Sequence, residues 1–255
     1  MSYDACLALR MCAPLQSWGV DSRFNRRNTA TMPSRSAVAG ILCASLGLGR
    51  GTCEESSFLA EFSSVRMVAV NAQRAKTARP SVEDAFWDSA AGNDDGPSAQ
   101  PLFQMRRMQD YHTVLGTASA EGGALPHAVL TYRQYLTDAM FFVFLCGKGK
   151  LMERLGGAVR DPVWGLWLGR KSCIPSAPMY AGVYPGLKEA EAALLNGLCV
   201  TAREEDCGVF SEGTDTIPDI PLDFCSEARK FGLRRVLRTY RGKTGEVRSP
   251  VLPQG

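Results

Sequence analysis

Histidine is almost absent from this chain, and its cysteines are not spaced as metal ligands. The 255 residues include two histidines, His112 and His127, and nine cysteines that form no Cys-x-x-Cys pair. Structural zinc sites need four closely spaced cysteine or histidine ligands. The sequence therefore predicts no metal site and no bound cofactor. It also indicates that thiols in apolar runs, such as Cys6, Cys43 and Cys146, are free and buried.

Long apolar runs and targeting signals are lacking as well. No stretch approaches the ~18 apolar residues that cross a bilayer, and residues 2–4 do not begin a signal peptide. We therefore expect a cytoplasmic protein without membrane attachment. Gly47, Gly49 and Gly51 follow a predicted helix instead of preceding one, which excludes a dinucleotide-binding fingerprint.

The first fifty residues predict a strand, a basic loop and a helix. Residues 5–11 are mostly apolar, as in a buried strand, and Pro14 predicts its end because proline has no amide hydrogen for the ladder. Apolar residues at helical spacing over 36–46 predict a helix with one apolar face. Ser34 is its predicted N-cap and Gly47 its predicted C-cap.

The loop between this strand and this helix is rich in arginine. It contains Arg23, Arg26, Arg27 and Arg35, the last of them at the predicted helix start. Unpaired amide N–H groups at a helix N-terminus and guanidinium groups both favour anions. The segment therefore predicts an anion-binding site.

The rest of the chain predicts an α+β fold. The order β-α-β, excursion, β-α-β is that of the ferredoxin-like or RRM-type fold, an antiparallel sheet with helices on one face. The Gly-, Ser- and Asp-rich excursion, residues 80–127, is expected to be a protruding hairpin, or thumb, that returns to the core. The predicted elements are a loop at 49–57, strands at 65–74, 131–146 and 163–168, a helix at 150–159 and a short helix at 187–195.

Charge is separated near the C-terminus, although the formal net charge is only +3. Acidic residues predominate between positions 204 and 227, whereas arginine and lysine predominate between 229 and 248. One interpretation is an anion-binding face next to a face for a basic partner. The other is two solvated faces that neutralise each other.

Five motifs, in their order and spacing, resemble signatures of the CasD family. CasD proteins are RAMP-superfamily subunits at the foot of type I-E CRISPR Cascade complexes. The resemblance covers roughly residues 5–185. The motifs are LRMxAPLQSWG at 9–19, RxTxxxPSRSAVAGILxAxLG at 27–47, DYHTVLG at 110–116, TYRQYLTD at 131–138 and GRKSC at 169–173.

The resemblance implies an RRM-like RAMP domain over 1–185, with a thumb insertion at about 76–127, and leaves 186–255 as a C-terminal extension. It implies a non-catalytic subunit that holds the 5′ handle of CRISPR RNA (crRNA), contacts the Cascade backbone and large subunits, and lies near target DNA. Loop arginines and the GRKSC pair would bind phosphates, residues 16–19 would shape the cradle, and the thumb would press on the RNA. The RNA-binding residues so predicted are Gln16, Trp18, Gly19, Arg23, Arg26, Arg27, Arg35, Arg106, Arg107, Tyr111, His112, Arg170 and Lys171.

Two other functions remain open at this stage. Tyr111, His112 and Lys76 are the residue types that a metal-independent ribonuclease needs as acid, base and phosphate-binding cation. Subtype I-C relatives of similar fold cleave precursor crRNA with such residues. The third interpretation is a protein–protein scaffold whose basic loops only balance acidic partners.

Overall fold

The computed structural model describes residues 3–19, 25–74, 105–118, 122–123, 127–208, 214–225 and 229–241. Among these residues, no helix is long and apolar enough to cross a bilayer. The described helices are α1 (Arg35–Leu46), α2 (Cys53–Phe62), α3 (Gly149–Arg160) and α4 (Leu187–Leu195). The described strands are β1 (Ala5–Gln16), β2 (Trp18–Gly19), β3 (Arg26–Arg27), β4 (Thr29–Ala30), β5 (Arg66–Arg74), β6 (Arg106–Val114), β7 (Val129–Gly147), β8 (Tyr180–Tyr184), β9 (Leu198–Asp206), β10 (Thr214–Asp223) and β11 (Lys230–Tyr240).

A large, mainly antiparallel sheet dominates the fold, which confirms the mixed α+β class. Its strands follow the order β10-β11-β9-β5-β7-β1-β8. Strands β3 and β6 pair with the N-terminal part of β7, β3 in parallel and β6 antiparallel. The 19-residue strand β7 therefore belongs both to the central sheet and to a hairpin with β6.

Helix α1 begins and ends where the sequence predicts. The Ser34 hydroxyl accepts a hydrogen bond from an amide of the first turn, and Gly47 follows the helix with a φ of 71°. Glycine is favoured there because a Cβ atom disfavours left-handed backbone. Val38, Ile41 and Leu42 form the buried stripe. The predicted positions of strands β5 and β7 and of helices α3 and α4 are also confirmed.

Helix α2 corrects the loop predicted over residues 49–57. The Thr52 hydroxyl accepts a hydrogen bond from the Glu55 amide, so the helix starts at Cys53. Its apolar residues are sparse in sequence, but Phe58 and Phe62 are both buried against the core. Tertiary burial therefore stabilises a helix whose local pattern is weak.

Strand β1 continues past Pro14, contrary to the prediction. Its ladder with β7 runs on to Gln16, which lies opposite Leu136. Opposite Pro14, Asp138 adopts a left-handed φ of 54°. The Gln16 side-chain amide donates to the carbonyl of the neighbouring Ala139 over 2.7 Å. The Gln16 side-chain amide thus supplies a hydrogen-bond donor close to Pro14, which has no amide hydrogen.

Both faces of the central sheet are covered, which corrects the prediction of helices on one face only. Helices α1, α2 and α3 pack on the face that carries Leu7, Leu9 and Met11. Helix α4 packs on the other face, where its Ala190 is buried in a cluster with Phe144 and other apolar residues. This second face is therefore no open platform for stacked bases, as it is in RRM domains.

The strand predicted over residues 163–168 is wrong. This segment is a loop whose backbone bonds to other elements: the Val163 and Trp164 amides donate to carbonyls of α1, and the Leu168 carbonyl accepts from Ser17. The edge strand β8 follows later, over 180–184, and pairs with β1. Alternating apolar residues are compatible with a strand, but pairing with a neighbour decides whether one forms.

The acidic and basic C-terminal segments meet in a buried ion-pair network, and β9, β11 and β10 continue the sheet beyond β5. The guanidinium of Arg234, which is 4% exposed, donates to carboxylates of Glu204, Asp206 and Asp219 over 2.7–2.9 Å. Burial acts to lower the pKa of Arg234, but these hydrogen bonds and charges raise it above its usual value. Arg35 joins the network through Asp206, over 2.8 Å. The opposite charges therefore neutralise each other inside the protein.

The network predicts a large stability loss for Arg234→Ala. The change leaves buried carboxylates without their cation, which costs about 3–5 kcal/mol. Arg154→Ala is the matched control, because Arg154 and Glu61 form an exposed pair that contributes at most about 1 kcal/mol. Urea unfolding of both variants measures the difference. Equal losses of unfolding free energy in the two variants would contradict this account.

Candidate nucleic-acid interface

Strands β3, β7 and β6 lie side by side at the outer end of the sheet and carry most of the exposed basic and aromatic residues predicted to contact RNA. Their register places Arg26 and Tyr111 opposite Tyr132, from the two sides. Arg27 lies opposite Arg133 in the same way. Because successive residues of a strand point to opposite faces, the arrangement has two distinct faces.

The first face, here the aromatic face, consists of Arg26, Arg107, Tyr111 and Tyr132. The two tyrosine rings lie 5.3 Å apart between centroids and are 56% and 40% exposed for Tyr111 and Tyr132. The Arg26 guanidinium carbon lies 6.0 Å from the Tyr132 ring centroid. Exposed rings beside cations stack on bases and bind phosphates, the combination that single-stranded nucleic acid requires.

The second face, here the histidine face, carries Arg27, Arg106 and His112. The His112 Nδ1 atom lies 3.7 Å from a carboxylate oxygen of Asp110, two residues earlier on the same face. Tyr111 points to the aromatic face, so Tyr111 and His112 are neighbours in sequence but lie on opposite sides of the hairpin. Lys76, the third residue of the ribonuclease hypothesis, lies outside the described residues, as does Arg23.

Arg170 connects β3 to β7 through hydrogen bonds. Its guanidinium donates to the carbonyls of Gln134 over 2.8 Å and Arg27 over 3.0 Å, and it lies 4.5 Å above the ring of Tyr135. These contacts position the two arginines of β3 beside the hairpin. Lys171 is exposed and lies 6.0 Å from the Trp167 ring centroid, so its ammonium group is accessible.

Glycine 169, which precedes this arginine, permits a close approach of two chain segments. A Cβ atom at Gly169 would lie 1.7 Å from the Ser17 carbonyl oxygen, and the residue has a φ of 106°. Ser17 in turn donates from its amide to the Leu168 carbonyl over 3.0 Å. The end of β1 and the GRKSC segment are therefore held together, and only glycine fits between them.

The predicted cradle of Gln16, Trp18 and Gly19 is mostly interior. Trp18 is 0% exposed and packs edge-on against Phe141, with ring centroids 6.3 Å apart. Gln16 is equally buried and bonds to backbone carbonyls. Neither side chain can contact RNA in this structure, since both are buried by the strands and helices around β1. Gly19 is exposed at the end of β2.

Arg35 is also corrected by the structure. It is 3% exposed, and its guanidinium bonds to Asp206 and to the Phe62 and Val65 carbonyls over 2.6–2.8 Å. Burial lowers the pKa of Arg35, and the Asp206 carboxylate opposes this shift. The Arg35 amide donates to Asp219 over 2.8 Å, so the anion predicted at the start of α1 is a carboxylate of the protein itself.

Sequence reasoning missed Tyr132 as a site residue. Within the TYRQYLTD motif, nothing distinguishes Tyr132 from a tyrosine that only packs in a strand. The available signal was its alternation with Thr131 and Arg133, but the facing residue, Tyr111, follows only from the register of β6 and β7. The register also places Arg26 and Arg27 on opposite faces, and likewise Arg106 and Arg107. Sequence reasoning had treated each pair of neighbours as one group.

Known proteins with related sequences and folds are as follows. A family model described as CRISPR-associated protein (Cas_Cas5) matches residues 6–237, from β1 into β11. The CRISPR system Cascade subunit CasD of Escherichia coli (strain K12) is 30% identical over 194 residues, which cover 74% of this chain and 75% of that protein.

Two solved structures share the fold. A chain of a CRISPR RNA-guided surveillance complex has a TM-score of 0.64 at 21% identity, covering 92% of this chain and 89% of that one. A structure described as a Cas protein has a TM-score of 0.57 at 27% identity, covering 92% of this chain and 94% of that one. The fold similarity therefore extends over most of the chain.

We expect Gly169→Ala to destabilise the protein by at least about 2 kcal/mol, because the new methyl group meets the Ser17 carbonyl and the backbone is left-handed. Gly157→Ala in α3 is the control, since its Cβ has open space and alanine favours helix. Thermal unfolding measures both. A Gly169→Ala protein that unfolds at the wild-type temperature would contradict the close approach described above.

Proposed function

The chain belongs to the Cas5 family of CRISPR-associated proteins, and from this premise we propose that it is a non-catalytic, RNA-binding subunit of a type I-E Cascade surveillance complex. The family model that spans residues 6–237 and the 30% identity to a Cascade CasD subunit support this assignment. As such a subunit it would work in the cytoplasm, next to the backbone and large subunits and close to target DNA.

The aromatic face is the observation that carries RNA binding. Two exposed tyrosine rings lie in one row with Arg26 of β3, and Arg107 lies four residues away along β6 on the same face. Stacking on rings tolerates any base, and guanidinium groups bind the phosphates between them. We propose that this face holds the 5′ handle of the crRNA, whose guide segment reads the target by base pairing.

The other predicted residues take secondary places in this proposal. Arg27, Arg106, His112 and Lys171 would contact a more distant part of the RNA, while Arg170 positions β3 and Gly19 borders the site. Arg35, Gln16 and Trp18 are left out, because their side chains are buried.

The finer description of the fold belongs to the same proposal. The partial order β5-β7-β1-β8, with helices after β1 and after β7, supports a ferredoxin-like core. In this scheme the β6–β7 hairpin is the base of the thumb. The strands β9–β11 form the extension that begins near residue 186.

The ribonuclease alternative finds less support. A base and an acid must reach the same 2′-hydroxyl and leaving oxygen. The alternation of β6 puts Tyr111 and His112 on opposite faces, which argues against both side chains facing one bound phosphodiester. We therefore propose that the chain holds crRNA without cleaving it.

The binding proposal predicts that Arg26→Ala weakens binding of labelled CRISPR repeat RNA more than Arg27→Ala. Loss of one phosphate contact lowers the slope of affinity against salt concentration by about 1. Tyr111→Ala and Tyr132→Ala should each weaken binding roughly ten-fold or more, since each removes a stacking ring. Filter binding of the full-length chain across a salt series measures both effects.

Arg154→Ala is the control for this series, because it removes an exposed arginine from α3, away from the hairpin. It should leave affinity and salt slope unchanged. Equal effects of Arg26→Ala and Arg154→Ala, or an RNA affinity independent of salt, would favour the protein–protein scaffold instead.

Incubation of the chain with repeat RNA in EDTA tests the absence of catalysis. We expect the RNA to remain intact on a denaturing gel, since the predicted acid and base lie on opposite faces. A specific cut that is lost in His112→Ala would reverse this conclusion and identify a processing nuclease.

A further inference from the structure

Two buried thiols lie in contact at the centre of the sheet. Cys6 on β1 and Cys146 on β7 are directly opposite each other, and their Sγ atoms are 3.1 Å apart. Cys6 is 0% and Cys146 4% exposed. RNA binding, as proposed above, makes no use of this pair.

Backbone geometry suits a covalent link between these residues. Directly opposed residues of antiparallel strands have Cα atoms about 4.5–5.5 Å apart, which is within the range that disulfides span. The sulfur atoms need to approach by only about 1 Å to reach bonding distance. A rotation of the two side chains therefore suffices, without a change in the ladder.

Helix α4 covers the pair, and its Leu187, Leu194 and Leu195 pack partly buried against the same cluster. The helix has nine residues, of which Ala190 alone is fully buried, and no side chain caps its N-terminus at Gly186. Its Glu191 forms an ion pair with Arg203 of β9. Short helices open more readily than the sheet beneath them, so an opening of α4 would expose the thiols to small molecules.

The two sulfur atoms differ in their electrostatic surroundings. The register of β5, β7, β1 and β8 places Arg66, Cys146, Cys6 and Tyr184 in one row across the sheet. The hydrogen bond between the thiols lowers the pKa of Cys146 and raises that of Cys6. The nearby Arg66 cation also lowers the pKa of Cys146, although burial opposes this.

We propose that Cys6 and Cys146 are a redox modification site, oxidised by peroxide to an intramolecular disulfide when α4 opens. This inference does not depend on the proposed function. It rests on the direct contact between these two thiols. Cys43, by contrast, lies in the cluster on the other sheet face, and burial raises its pKa to about 12.

The reaction balances with hydrogen peroxide as the oxidant. The Cys146 thiolate attacks one peroxide oxygen, the O–O bond breaks, and hydroxide leaves with a proton from the medium as water. The resulting sulfenic acid is then attacked by the Cys6 sulfur, the S–O bond breaks, and a second water leaves with the Cys6 proton. Two thiols thus lose two electrons to one peroxide molecule.

The disulfide would lock the two central strands together. The loop it closes contains α1, α2, β5 and the β6 strand of the hairpin, and closing so long a loop restricts the unfolded chain. Oxidation should therefore raise the thermal unfolding midpoint by several degrees and leave the fold unchanged. Dithiothreitol should reverse the shift.

The test treats the reduced protein with hydrogen peroxide, removes the peroxide, then unfolds the protein in denaturant at neutral pH and alkylates the remaining free thiols. Non-reducing peptide mass spectrometry should identify a linked peptide pair containing Cys6 and Cys146, with both thiols lost from the alkylated pool at the same rate. Cys53 is exposed and reports that the peroxide is active. A modified Cys53 beside fully alkylated Cys6 and Cys146, or a link from Cys6 to another cysteine, would overturn the proposal.

Variants test the thiol pair and the covering helix α4 separately. Cys6→Ala should abolish the link, whereas Cys43→Ala, a change at another buried thiol, should preserve it; the wild-type peptide map stands by itself if Cys6→Ala does not fold. Glu191→Gln removes the ion pair of α4 and should speed disulfide formation several-fold. An unchanged rate in Glu191→Gln would show that opening of α4 is not the route of access.

Discussion

A buried set of arginine–carboxylate contacts holds together the parts of this protein that are distant in sequence. Arg234 on β11 bonds to carboxylates of β9 and β10, and Arg35 connects the same carboxylates to the start of α1 and the end of α2. Removing charges from water is costly, and paired donors and acceptors recover the cost, as they do at Arg234, where all three guanidinium nitrogens donate to carboxylates. The network therefore requires the C-terminal strands and the N-terminal helix to lie in one arrangement. It also explains how part of the charge that is separated in the sequence is neutralised inside the protein.

The second organising feature is the length of β7. Its C-terminal half is buried at the centre of the sheet, whereas its N-terminal half extends outward with β6 and β3. The exposed aromatic face therefore stands on a strand that the core holds rigidly. Arg170 adds to this rigidity, because it connects β3 to β7 through two backbone carbonyls. In the RNA-binding role proposed above, rings and cations that are already positioned would lose little conformational freedom on binding.

The two faces of the central sheet also differ in chemistry. The face under α1, α2 and α3 is a conventional apolar core. The face under α4 includes the thiol pair and is bordered by Arg66, Arg203 and Glu191. In the redox role proposed for this pair, the small helix lies on the opposite side of the sheet from the main core, so its local opening would leave that core intact.

The sequence by itself determined the elements whose signals are local. Capping residues and apolar spacing defined α1, α3 and most of β5 and β7, and the ordered motifs carried the family resemblance. Tertiary structure alone decided which polar residues are exposed and can contact a ligand. Arg35 and Arg26 are alike in sequence, yet Arg35 faces buried carboxylates contributed by residues more than 170 positions away, and Arg26 faces a tyrosine in solvent. The burial of Trp18, the formation of β8 and the pairing of Tyr111 with Tyr132 likewise depend on contacts between segments that are distant in sequence. Burial and strand register are properties of segments brought together by folding, so no window of neighbouring residues contains them.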